Sequence, residues 1–125
     1  MRDITNYSIG VLVACSVFTL QASVVLAQDP TQVDSNHYKV TFENDQVRIL
    51  RITYGPHEKS VMHEHPNSIA VFLTDGQVKF SLADGKSQEV TVKAGQSAWS
   101  PAGKHLPENM GDKSFEVVLI EMKTK

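Results

Sequence analysis

The spacing of turn signals constrains this chain more than any other feature. After residue 28, short runs of β-branched and aromatic residues are cut about every eight to twelve positions by glycine-containing pairs. V-R-I-L-R-I-T-Y (47–54) ends at Gly55-Pro56, and the apolar run I-A-V-F-L (69–73) suits a strand buried on both faces. Asp75-Gly76 predicts a hairpin turn, and V-K-F-S-L (78–82) then alternates with Val78, Phe80 and Leu82 inward up to a second turn at Asp84-Gly85. Q-E-V-T-V (88–92) runs into Ala94-Gly95, and F-E-V-V-L-I-E-M (115–122) follows Gly111-Asp112. No segment in this part holds helical periodicity over about ten residues. The expected fold class is all-β, a small sandwich or barrel.

The first 27 residues read differently. A short start carrying Arg2 and Asp3 leads into an uncharged stretch from Ile9 to Ala27, and V-V-L-A-Q places Val25 and Ala27 at the −3 and −1 positions of a signal-peptidase site. The expected organisation is a signal peptide over 1–27, a flexible polar leader over 28–36 and one β domain over 37–125, located in the periplasm or secreted. Two alternatives remain: L-V-A-C (Leu12 to Cys15) resembles a lipobox that would make Cys15 a lipid-anchored N-terminus, and Ile9–Ala27 is long enough for an uncleaved anchor helix.

The exported part is short enough for a single core. The chain's one cysteine is Cys15, so the β domain has neither disulfide nor thiolate chemistry. Net charge is −2 with scattered basic residues, which argues against nucleic acid and, once the signal is removed, against a membrane surface.

The residues that carry chemistry are histidines. On a strand, His63 and His65 of H-E-H-P share a face roughly 6.6 Å apart, while Glu64 points away. His105, in P-A-G-K-H-L-P-E-N, can complete a three-nitrogen face with open positions for water or substrate. No catalytic residue and no organic cofactor is singled out.

These motifs resemble those of the cupins, over about Val40 to Met122. The first cupin motif runs G-x5-H-x-H-x(3,4)-E-x6-G; here Gly55, His63, His65 and Gly76 match, with seven residues instead of five after the first glycine. The second runs G-x5-P-x-G-x2-H-x3-N; Gly95, Pro101, Gly103, His105 and Asn109 match, with one residue instead of two before the histidine. The resemblance implies a jelly-roll barrel, also called a double-stranded β-helix. It also implies a divalent transition metal (Fe, Zn, Cu, Mn or Ni) on His63, His65 and His105. The motif glutamate is missing, for Ile69 and Ala70 stand at its place. Without that negative ligand the ion would keep its +2 charge and favour a small oxygen-rich organic anion, as a dioxygenase-like or other metal-dependent enzyme would use. The alternative is a non-catalytic module binding a small ligand or metal.

The bland readings are as follows. Trp99, Phe72 and Phe80 are assigned to the core, Asn109 to a turn or to support of the ligands, Glu108 to the rim, and His37 and His57 to the surface. Glu108 remains a substitute for the lost acid and His57 a residue of the mouth. Exposed sheet edges predict a symmetric homodimer, through the strand around Val40–Phe42 or the final strand.

Overall fold

A computed structural model describes residues 28–125. The expected signal peptide over 1–27 and Cys15 lie outside the described residues. One helical turn is followed by nine strands: α1 (Pro30–Val33), β1 (Tyr38–Glu43), β2 (Val47–Tyr54), β3 (His63–His65), β4 (Ser68–Phe72), β5 (Gly76–Leu82), β6 (Ser87–Val92), β7 (Ser97–Ser100), β8 (Gly103–Asn109) and β9 (Phe115–Met122). The all-β expectation holds, and β2 and β9 occupy the runs 47–54 and 115–122 that the turn signals bound.

The strands form two antiparallel sheets, one of five in the order β1-β2-β9-β4-β7 and one of four in the order β3-β8-β5-β6. Each sheet turns its apolar phase inward. β9 alternates strictly, so Phe115, Val117 and Leu119 join Leu50, Ile52 and Val78 in one core cluster. Leu50 is completely buried. At about 25 cal/mol per Å² of apolar surface removed from water, this cluster is the main source of stability.

The turn signals divide into two kinds. Asp84-Gly85 makes the expected hairpin, with Ser81 paired to Ser87 and Gly85 at φ 85°, a conformation that side chains disfavour. Asp75-Gly76 does not. β4 belongs to one sheet and β5 to the other, so this pair carries the chain across the barrel. Gly76 is required for space instead: a Cβ there would lie 2.4 Å from the Phe115 ring.

The polar stretch 28–36, expected as a flexible leader, is folded onto the barrel. Asp29 caps α1 by accepting from the Thr31 amide, and Pro30 opens the turn and is fully buried. The Glu64 amide donates to the Gln28 carbonyl at 3.0 Å, which ties this segment to β3. Asp34 accepts from the Ser60 hydroxyl at 2.5 Å and pairs with His37 at 2.8 Å. Polarity was misread as freedom, because these polar groups have partners elsewhere in the chain. Among the described residues, no helix is long and apolar enough to cross a membrane.

Candidate metal centre

The three histidines come together. In the β3–β8 pairing His63 lies opposite His105, and Glu64 lies opposite Lys104. Cross-strand neighbours on one face stand about 5 Å apart at Cβ, and His65 lies two residues along the same face. One ring nitrogen from each lies within 4.8 Å of those of the other two. Glu64 points away, as its position between the pair requires.

Hydrogen bonds fix how two of the rings face. Nδ1 of His63 lies 2.8 Å from the Val61 carbonyl, and Nδ1 of His65 lies 2.6 Å from a Glu121 carboxylate oxygen. Each Nδ1 therefore carries the proton it donates, and the Nε2 of each ring is the nitrogen that faces the other ring. These two Nε2 atoms are 3.0 Å apart. That is about the separation of two nitrogens that bind one ion at about 2.0–2.1 Å and at nearly right angles. His105 stacks on Phe80, with ring centroids 5.0 Å apart. Burial, reinforced by neighbouring His65, pushes His63 down to about 4. Burial and the other two histidines push His105 down to about 3. Neutral imidazoles at physiological pH are the form a metal needs. The residues present thus fit a borderline divalent ion, and its nitrogen donors would be His63, His65 and His105.

Around the histidines lies a polar shell that the motifs did not reveal. The Tyr38 hydroxyl sits 3.0 Å from His63 Nε2 and 2.5 Å from the Tyr54 hydroxyl, and both tyrosines are buried. Glu121, 2 % exposed, bonds His65 on one side and the Arg48 guanidinium, at 2.6 Å, on the other. Burial alone would raise the Glu121 carboxyl, but the bonds from His65 and Arg48 outweigh it and hold the group below the usual carboxylate range. Arg48 also reaches Asp29 at 2.6 Å. A sequence signal for this pair existed. Glu121 shares the inward phase of Phe115, Val117 and Leu119, Arg48 shares that of Leu50 and Ile52, and the two are register partners. A charge on an apolar phase rarely stands alone.

The other singled-out residues fall as follows. Ala70 lines the pocket where the motif acid would stand. Glu108 alternates away from His105 and lies opposite Lys79, so it does not replace that acid. Asn109 is a turn residue: its amide donates to the carbonyls of Gly55 and Lys113, and its oxygen accepts from the Gly111 amide. Phe72 and Phe80 pack against the core as expected. Trp99 does not: it is 59 % exposed at the pocket edge, because β7 ends its sheet and has no neighbour on that side. His57 is exposed and bonds Asp112, away from the site. His37 is not a surface residue; it stacks on Tyr54 with centroids 4.6 Å apart and binds Asp34 and Glu58.

A cavity of about 730 Å³ opens beside His65 and His105, with Tyr38 at its polar end and Phe72, Val90 and Val117 along its walls. Lys104 and Trp99 stand at its edge.

The chain matches the model of the cupin domain over residues 50–121. Among solved structures it resembles a cupin domain from Bordetella pertussis, with TM-score 0.65, 26% identity and coverage of 70% of this chain and 92% of that one. A cupin 2 conserved barrel domain protein from Salinispora arenicola aligns with TM-score 0.56 and 19% identity over 74% of this chain and 80% of that one. Oxalate decarboxylase from Bacillus subtilis, which has Mn(II) centres, aligns with TM-score 0.51 and 20% identity over 65% of this chain but only 22% of its own length. At 19–20% identity the last two likenesses speak to the fold alone. No curated protein matches in sequence. The matched span covers more than half of the chain, and the chain belongs to the cupin domain family.

Proposed function

We propose that this cupin holds a divalent transition metal on His63, His65 and His105 and brings a small oxygen-rich organic anion against it, as a metal-dependent enzyme of the dioxygenase-like kind. The observation that carries this reading is the pair of Nε2 atoms 3.0 Å apart, each ring held by a hydrogen bond at its other nitrogen. When bound, the ion supplies Lewis acidity and, if iron, copper or manganese, redox chemistry. The chain's own groups do the rest. The carboxylate of Glu121 and the carbonyl of Val61 set the ring orientations, and the apolar walls limit water beside the anion.

The test is the metal content of protein purified from its native host, followed by turnover of a panel of diketones, flavonols and thiols. Stoichiometric metal in the wild type, lost in His63→Ala and His105→Ala, supports the metal reading. Metal without turnover of any panel member leaves the non-catalytic binding module.

Two further parts of the proposal concern setting. We propose cleavage after Ala27, which would leave Gln28 as the first residue in the periplasm or medium; intact mass of exported protein tests this, and a lipidated species starting at Cys15 refutes it. We also propose a symmetric homodimer through β1. This strand is a sheet edge, and Val40 and Phe42 on it are 47% and 51% exposed. The final strand is excluded as the contact edge, since β9 lies between β2 and β4. Sedimentation at micromolar concentration should give twice the monomer mass.

A further inference from the structure

We infer that Glu121 is the carboxylate that stands in for the missing motif acid, and that it acts through His65 rather than on the metal: a positioning residue that also supplies negative charge. The inference rests on the metal reading above. Its own grounds are geometric. Glu121 approaches the Nδ1 side of the His65 ring, while the nitrogen facing His63 is Nε2. The carboxylate therefore cannot share an ion with the Nε2 atoms of His63 and His65, yet it lies one imidazole away from where such an ion would sit.

Charge bookkeeping gives the carboxylate a purpose. Three neutral imidazoles leave a bound divalent ion uncompensated. Glu121, Arg48 and Asp29 form a chain of carboxylate, guanidinium and carboxylate that runs from the buried Glu121 out to the partly exposed Asp29, linked by contacts of 2.6 Å at each step, with a net charge of −1. A structural ion pair would need only one acid per base. Here a second acid, Asp29, occupies the far side of Arg48, which leaves one Glu121 oxygen committed to His65. Glu121 sits mid-sheet, with Arg48 on β2 and the completely buried Ser68 on β4 as its register partners, so its backbone is fixed from both neighbouring strands. A ligand imidazole that donates to a carboxylate is more basic and more strictly oriented than one that donates to a carbonyl. His65 and His63 thus differ in kind: His63 donates to the neutral Val61 carbonyl.

Two variants separate this role from a merely structural one, with Co(II) as the probe. Glu121→Gln keeps the shape and an acceptor for His65 but removes the charge. Arg48→Met removes the rival partner and leaves the charge. Both are first checked for fold by circular dichroism and melting. The Co(II) dissociation constant of Glu121→Gln should rise by roughly 10- to 100-fold, with a changed visible Co(II) spectrum. That of Arg48→Met should stay the same or fall. Equal affinity and an unchanged spectrum in Glu121→Gln overturn the inference, and so does equal weakening in both variants, which would make the cluster structural. Wild-type protein that takes up no Co(II) overturns the metal reading itself and the inference with it. If Glu121→Gln does not fold, Glu121→Asp decides. Its shortened carboxylate should weaken binding relative to wild type, and full wild-type affinity overturns the inference.

Discussion

The interior of this barrel holds two unlike groups of side chains. In the polar group Tyr38, Tyr54, His63, His65 and Glu121 are all buried and held by side-chain hydrogen bonds. In the apolar group Val78, Val92, Phe115 and Val117 are equally buried, and Phe115 stands directly across the β2–β9 pair from Tyr54. The apolar group gains free energy from every carbon it removes from water. The polar group roughly breaks even, because each bond it makes replaces one to water. Yet among the described residues no buried side-chain nitrogen or oxygen lacks a partner. A network satisfied to that degree permits few arrangements, and the arrangement kept is one that aims imidazole nitrogens at each other. The apolar group therefore sets stability and the polar group sets geometry.

That division is broken most severely from the apolar side. Leu50→Ala deletes a completely buried side chain between the sheets and should cost about 2–5 kcal/mol, read from urea denaturation. The fraction that remains folded should still bind metal with unchanged stoichiometry. His105→Ala is the mirror image. It should abolish stoichiometric metal uptake, measured by elemental analysis, and change stability by about 1 kcal/mol or less, since His105 is only half-buried and lies at the cavity edge. If His105→Ala destabilised metal-free protein as much as Leu50→Ala, the polar and apolar groups would not differ in this way.

An intermediate effect is expected where the N-terminal segment meets the polar group. Asp34→Ala removes the acceptor of both Ser60 and His37, so it should cost about 1–3 kcal/mol. It should also lower the hydrogen-exchange protection of the Tyr38 amide, which donates to the Asp34 carbonyl. Protection that stays at the wild-type level would mean that residues 28–36 are held by Pro30 and Asp29 alone.

The two groups are also unequally legible in the sequence. Period-2 alternation exposes the apolar face of β5, and turn signals bound the β-rich runs that become β2 and β9, because burial and turns leave patterns in neighbouring residues. The three histidines were legible because metal-type spacing is local and the cupin motifs span both strands. Glu121, Arg48 and Tyr38 were not singled out, since their partners are far away in sequence: Glu121 lies 56 residues from His65 and 73 from Arg48. Asp34 and His37 were hidden in the same way. A stretch rich in Asp, Asn and Gln looks solvated until the groups it binds are known. Trp99 was misplaced for a related reason, because nothing local reveals that β7 is an edge.

The smallest expected effect tests whether that N-terminal contact is electrostatic. His37 stacks on Tyr54 and faces two carboxylates, Asp34 at 2.8 Å and Glu58 at 2.7 Å. Burial alone would lower its pKa, but the bonds to Asp34 and Glu58 outweigh burial and raise it above the ordinary histidine value. A raised pKa in the folded state means that the folded protein binds the proton more tightly than the unfolded chain. The resulting stability is fully present below the unfolded pKa, about 6.5, and is lost as pH rises through the higher folded value. Metal-free wild type should therefore lose more of its melting temperature than His37→Gln between pH 6 and pH 8.5. The loss of stacking on Tyr54 shifts the variant by a constant amount, so only the change of the difference with pH carries information. Glu58 is largely solvent-exposed, so salt screens part of the effect, and the slope should shrink at high ionic strength. A difference that is flat with pH, or that grows as pH rises, would show that His37 holds the segment by packing and not by charge.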